Sequence, residues 1–262
     1  MINVVKSWSE FREKWQARQN FLLAGEVFPF RFESPPLAEV IEAVRQNERA
    51  RIVTGRRADK SEATSTTSST YLAFRDLPID EAVHAQVQLS HFELNEFTEK
   101  GQVFERLKDI LERWYAALTS HGFSWSRSER AMFLSGPHSN TNYHFDSSYV
   151  LAWQIQGRKR FCFTKDPERW CNADVRRRQA DRYDQMTRPT GLGPNDIVEV
   201  EMKPGDVLWN VMLTPHWVYS LDESAYSFNV THWGLRRDGE LSPIDRELDD
   251  IHRERETADK GT

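Results

Sequence analysis

The chain has 262 residues, 39% of them apolar and 12% aromatic with nine Trp, enough for one large domain with a sizeable core or for two small ones. A net charge of −5 and an isoelectric point near 5.9 argue against broad nucleic-acid binding, and no apolar run reaches the roughly 18 residues of a membrane span. The opening residues lack a signal-peptide pattern, and Cys162 and Cys171 suit free thiols better than a zinc site, so a cytoplasmic protein is expected.

Residues 1–125 read as a helical and strand support region of the same domain. Trp8, Phe11 and Trp15 recur at helical spacing between Ser7 and Ala17. Phe21 to Phe32, with Gly25 and Pro29, suggests strand and turn. Ser34-Pro35-Pro36 then opens a helix with Ser34 as N-cap and a stripe of Leu37, Val40, Ile41 and Val44. Arg51 to Thr54 reads as a strand. The Ser- and Thr-rich run from Ser61 to Thr70 reads as a solvated loop, which beside a site would serve as a lid. Tyr71 to Phe74 follows as a short strand. Val103, Leu107, Ile110, Leu111, Trp114 and Leu118 then share one face of a helix that Gly122 terminates.

From 126 to 238 the period changes to short runs rich in Val, Phe, Tyr and Trp: Arg130–Ser135, Tyr149–Gln156, Lys159–Thr164, Ile197–Glu201, Val207–Val211, Trp217–Leu221 and Tyr226–Trp233. This predicts a mainly β core, a sandwich or barrel, with flanking helices. Gly157-Arg158 is expected to join two strands as a tight hairpin, and Pro204-Gly205-Asp206 to turn into another. Trp153, Trp209, Trp217 and Trp233 would fill the barrel. A charged insertion, 165–196, carries Arg176-Arg177-Arg178, a solvated helix face or a lure for an acidic substrate at a pocket mouth. The tail, 239–262, has a thin stripe of Ile244, Leu248 and Ile251, fit for a docking helix or a homodimer contact.

The chemistry-bearing stretch is His144-Phe145-Asp146. Side chains at i and i+2 of an extended backbone share a face, so one imidazole and one carboxylate converge. A second imidazole from a distant strand, His216, would complete the two-His, one-carboxylate face of non-haem Fe(II) oxygenases, which leaves other positions open. The competing reading is a hydrogen-bonded polar cluster with no metal. His84, His91, His121 and His138 read as surface or capping residues, and His232 as a core or supporting residue.

The strings Asn140-Thr-Asn-Tyr-His-Phe-Asp, Leu151-Ala-Trp-Gln-Ile-Gln-Gly-Arg-Lys-Arg-Phe, Met202-Lys-Pro-Gly-Asp-Val-Leu-Trp, Thr214-Pro-His-Trp-Val and Asn229-Val-Thr-His-Trp resemble the JmjC-type, cupin-like 2-oxoglutarate oxygenases. In order and spacing they are similar to the asparaginyl hydroxylase of hypoxia-inducible factor and to small bacterial cupin-like relatives. The resemblance implies a double-stranded β-helix, or jelly roll, with Fe(II) on His144, Asp146 and His216, and with 2-oxoglutarate and O2 as cosubstrates. It implies that Lys159 binds the distal carboxylate of 2-oxoglutarate, aided by Thr141 and by Tyr71. Thr231 stands where the asparaginyl hydroxylase has Asn, so contacts near the cosubstrate differ there. The implied activity is hydroxylation of an unactivated C–H bond in a small molecule, amino acid or peptide, with succinate and CO2 as coproducts. Two alternatives stay open: a cupin dioxygenase or isomerase that needs no 2-oxo acid, and a metal-free binding module.

Overall fold

The computed structural model describes residues 2–54, 69–179 and 186–259. Most of the Ser61–Thr70 run, the expected loop or lid, lies outside the described residues.

The N-terminal part supplies strands β1 (Asn3–Val5), β2 (Phe21–Leu23), β3 (Arg51–Thr54), β4 (Val87–Phe92) and β5 (Phe123–Ser124). Between them lie helices α1 (Trp8–Lys14), α2 (Leu37–Arg45), α3 (Ser69–Asp76), α4 (Ile79–Ala82) and α5 (Glu105–Ser120). The core strands follow: β6 (Arg127–Ser135), β7 (Tyr149–Gln156), β8 (Lys159–Thr164), β9 (Ile197–Met202), β10 (Val207–Asn210), β11 (His216–Ser220) and β12 (Ala225–Trp233). The insertion between β8 and β9 holds α6 (Pro167–Trp170) and α7 (Ala173–Gln179). Two short strands, β13 (Arg236–Arg237) and β14 (Glu240–Leu241), lead into α8 (Pro243–Asp259).

Among the described residues one sheet has eight strands, ordered β1-β2-β10-β7-β12-β6-β4-β3, and a second has three, β11-β8-β9. Ala152 and Leu208 of the large sheet share an apolar cluster with Phe161, Phe163, Val200, Met202 and Val218 of the small one, so the sheets pack face to face. This is the jelly-roll core of a double-stranded β-helix, and four strands from the N-terminal part extend its large sheet. The period of two sorts the side chains: on β7, Tyr149, Leu151, Trp153 and Ile155 face outward into a second, larger core under the helices, while Ala152 faces the other sheet. Trp153 and Trp209 therefore fill the layer between sheet and helices, not the barrel, because both occupy outward positions.

Several expectations change in physically legible ways. Gly157-Arg158 is not a paired hairpin: β7 pairs β10 and β12, whereas β8 pairs β11 and β9, so this turn carries the chain across from one sheet to the other. Gly157 sits at φ +64 under β12, where a Cβ would lie 2.5 Å from the Ser224 carbonyl oxygen. Tyr71 to Phe74 is helical, within α3; Phe74 turns inward, Leu72 is exposed, and the buried Arg45 guanidinium caps the helix end at the Leu77 carbonyl, 2.6 Å away. Ser34 is no N-cap; α2 starts at Leu37 behind Pro36, and the Ser34 hydroxyl meets Tyr226 Oη at 2.6 Å. Strand β4 is additional, and its alternation places His91 in the core, beside Asn47, where burial lowers its pKa. Arg176 is buried, not solvated: it binds Glu168 and donates to Glu247 of α8 at 2.5 Å, tying the insertion to the C-terminal helix. Ile244, Leu248 and Ile251 are buried against the same chain, so a homodimer through α8 would need its other faces.

Candidate metal centre

Two short segments bring the imidazoles together. His144 and His216 form an isolated antiparallel bridge, the His144 N–H donating to the His216 carbonyl at 3.0 Å and the His216 N–H donating back at 2.7 Å. Directly opposed residues of such a pair point to the same face. The rings accordingly sit 4.3 Å apart, centroid to centroid. Asp146, two residues on, returns to that face. Its Oδ1 lies 3.9 Å from His144 Nε2 and its Oδ2 3.6 Å from His216 Nε2. One ligand atom from each residue can be chosen so that all three lie within 4.8 Å of one another.

The tautomers are set from behind. His144 Nδ1 lies 2.7 Å from the Asn142 carbonyl and His216 Nδ1 3.1 Å from the Thr214 carbonyl. A carbonyl can only accept, so each Nδ1 carries the hydrogen and each Nε2 presents a lone pair. Burial, reinforced by the neighbouring His144 and opposed by Asp146, lowers the His216 pKa to about 4, so this imidazole is neutral at physiological pH. Asn210, at the end of β10, donates from Nδ2 to Asp146 Oδ2 at 2.8 Å and fixes the carboxylate. The Asp146 carbonyl accepts the N–H of Leu213, a buried residue at φ +58 in the turn that delivers His216. Sequence reasoning missed Asn210; its signal was an amide ending the otherwise apolar Val207-Leu208-Trp209 run. Two imidazoles and a braced carboxylate, with no cation paired to them among the described residues, are a donor set suited to a divalent first-row metal with positions left open.

Inward-facing residues of β8 lead from this centre into the space between the sheets. His216 is in register with Phe163 of β8. Lys159 lies four residues back on the same face, about 13 Å along the strand. Lys159 is 2% exposed, whereas Arg160 faces outward toward Glu199. The Lys159 ammonium position is held by the Phe133 carbonyl at 2.7 Å and, more loosely, Ser227 Oγ at 3.4 Å. Burial alone lowers its pKa to about 7. Asn229 Oδ1 and Gln154 Oε1, on the same inward faces of β12 and β7, are buried without a hydrogen-bond partner among the described residues. Such unpaired polar atoms in a native fold mark a ligand's place or ordered water. Phe161, Phe163 and Val218 make the apolar wall.

The remaining expected residues fall as follows. The Thr141 hydroxyl accepts the Val218 N–H at 2.8 Å on the edge of the small sheet, which leaves its own hydrogen to donate. Thr231 lies opposite Val150 at the metal end, but its hydroxyl is engaged with the Glu129 backbone at 3.2 Å and 3.3 Å. The Tyr71 side chain lies outside the described residues. His232 points away from the centre into the outer core, fully buried, where its Nε2 accepts the Trp114 indole N–H at 3.4 Å.

No curated protein sequence matches the chain. Among solved structures, it is similar to the Escherichia coli ribosomal oxygenase YcfD, at 19% identity and a TM-score of 0.57 over 93% of this chain and 54% of that one. A second structure of YcfD, in complex with cobalt and 2-oxoglutarate, aligns at 18% identity and a TM-score of 0.55 over 95% of this chain and 56% of that one. The chain thus spans about half the length of the solved structures it matches. The family model of the JmjC domain matches residues 102–237, which include β6 to β12, all three members of the triad and Lys159. The chain belongs to the JmjC-domain family.

Proposed function

We propose that the protein is an Fe(II)- and 2-oxoglutarate-dependent oxygenase that hydroxylates an unactivated C–H bond and releases succinate and CO2. The observation that carries this reading is the pairing of a His-Asp-His face with a buried lysine that has no carboxylate partner among the described residues, both facing the space between the sheets. When bound, Fe(II) supplies open coordination positions for the 2-oxo acid and O2 and the redox chemistry that joins them. The chain's own residues do the rest. His144, Asp146 and His216 hold the metal, and Asn210 keeps the Asp146 carboxylate turned toward it. Lys159 receives the distal carboxylate of 2-oxoglutarate, and Thr141 donates to it. Phe161, Phe163 and Val218 keep bulk water from the space between the sheets. Thr231, with its hydroxyl spent on β6, acts as shape rather than as a donor.

For the prime substrate, the solved YcfD structures describe a ribosomal oxygenase, which favours a side chain of a polypeptide as the class to test first. Free amino acids and other small molecules come second. The test is anaerobic titration with Fe(II) and then 2-oxoglutarate, watched for the weak visible charge-transfer band of the bidentate complex. A band, followed by succinate release with peptides or metabolites, supports the reading. Metal binding without a band leaves a cupin metalloenzyme that needs no 2-oxo acid, and absence of metal binding leaves a binding module.

A further inference from the structure

The Lys159 end of the space between the sheets poses a charge problem. Across from Lys159 stand Met202 on β9 and Ser220 on β11. Phe133 on β6 offers a carbonyl, Ser227 on β12 a hydroxyl, and Gln154, opposite Ser227 on β7, a neutral amide. None of these is charged. The charged residues nearest Lys159 in sequence look outward: Arg158 pairs with Glu201 and Glu223, and Arg160 with Glu199. An ammonium here would have lost its hydration shell and gained one good acceptor in return, a poor exchange for a full charge. A carboxylate entering that space faces the mirror problem, since a neutral amine leaves it buried without a counter-ion.

We propose that Lys159 is an uncharged amine in the free protein and takes one proton from solvent when a dicarboxylate seats its far carboxylate beside it, so that the site recognises its ligand together with a proton. The inference rests on the proposed function. The proton moves from buffer to Lys159 Nζ; the carboxylate arrives already ionised, and the pair that forms is a charge-assisted hydrogen bond in a poorly solvated place. Burial acting on Lys159 in the free protein supports this, with the amine titrating near 7 instead of the ordinary 10.5. Linkage sets the sign: where the bound form holds one more proton than the free form, affinity falls about tenfold for each pH unit. That window opens near 7 and closes where the ion-paired lysine itself titrates. Below about 6 the free lysine is already charged and the slope vanishes.

The experiment is calorimetric titration of the Mn(II)-loaded protein with 2-oxoglutarate in buffers of different ionisation enthalpy, which counts protons directly. Uptake is expected near zero at about pH 6, about half a proton at 7 and close to one at about 8.5. 2-Oxobutyrate keeps the chelating end and lacks the far carboxylate, so it should bind more weakly and take up no proton. In Lys159→Arg the charge is permanent, and any binding of 2-oxoglutarate should carry no uptake; should that variant fail to fold, the 2-oxobutyrate comparison on the unaltered protein still decides. Binding of 2-oxoglutarate with no uptake at any pH overturns the inference alone. Equal uptake with 2-oxobutyrate also overturns it, since the proton then belongs elsewhere. Failure of the Mn(II) protein to bind 2-oxoglutarate at all removes the proposed function and the inference together.

Discussion

The two faces of the large sheet are built on opposite terms. Its outer face packs Trp153, Trp209, Tyr226 and Phe228 against Phe11, Trp15, Phe28 and Trp114 of the helical layer, a continuous aromatic core. In that layer Trp114 Nε1 donates to His232 and Trp209 Nε1 to the Trp15 carbonyl, while Trp15 Nε1, Trp153 Nε1 and His232 Nδ1 are buried without a hydrogen-bond partner among the described residues. The inner face meets the small sheet through few apolar side chains. Beside them it keeps a buried lysine with no counter-ion among the described residues, two imidazoles turned toward one carboxylate, and amide oxygens of Asn229, Gln154 and Asn210 that have no partners there. Each such group costs on the order of 1–3 kcal/mol when left unmatched. The outer layer holds the fold through aromatic packing; the inner layer carries the ionisable groups of the site.

The largest effects should separate these roles cleanly. Asp146→Ala or His216→Ala removes one of three ligands, and metal binding measured by calorimetry should be lost along with succinate release. Thermal unfolding of the metal-free variants should hardly change, because neither side chain packs the main core. Trp114→Ala should do the opposite. Trp114 is fully buried among Trp8, Phe11, Phe28 and Trp209, and its removal should cost about 3–5 kcal/mol in denaturant unfolding. If His216→Ala destabilised the metal-free protein as much as Trp114→Ala, the division between the layers would be wrong.

The core strands were legible because both of their faces are buried and their runs are short. Tyr149–Gln156 and Lys159–Thr164 come out with the bounds that composition and turn residues predict. The His144, Asp146 and His216 cluster was legible too, since His-x-Asp on an extended chain fixes two directions at once and a third imidazole needs only a facing strand. What escaped was set by long-range pairing. The crossing at Gly157 depends on β8 choosing β11 and β9, a choice no local signal encodes. Arg176 reads as a surface charge until α8 brings Glu247 to it. Tyr71 to Phe74 looks like a strand by composition but is helical, with its end capped by an arginine from α2. Asn210 carried a faint mark, an amide among apolar residues; only the fold shows that it faces a carboxylate.

A smaller effect sharpens the account of the inner layer. Asn210→Ala leaves all three ligands in place and removes only the donor that turns Asp146. Loss of such a partner typically weakens metal affinity about 10–100-fold. Competition with a chelator would measure it. A full-strength site in the variant would show that the His144–His216 bridge alone positions the carboxylate.

The smallest change should go in the stabilising direction. Lys159→Met replaces a buried amine by an apolar chain of similar length, in a space already walled by Phe161 and Met202. Because the folded lysine titrates near 7 and the unfolded one near 10.5, the unfolded chain binds the extra proton between those values, and the unaltered protein gains stability as pH rises through that window. The methionine variant has no such slope. Its advantage should therefore be largest below pH 7, on the order of 1 kcal/mol or ~2–4 °C in Tm, and should be gone within about one pH unit above 7, because each unit of that window adds about 1.4 kcal/mol to the unaltered protein. Thermal unfolding of the metal-free proteins across that range checks it. A variant less stable than the original at every pH would mean that the Phe133 and Ser227 contacts already compensate the buried amine, and that the inner layer gives up less stability than its unpaired groups suggest.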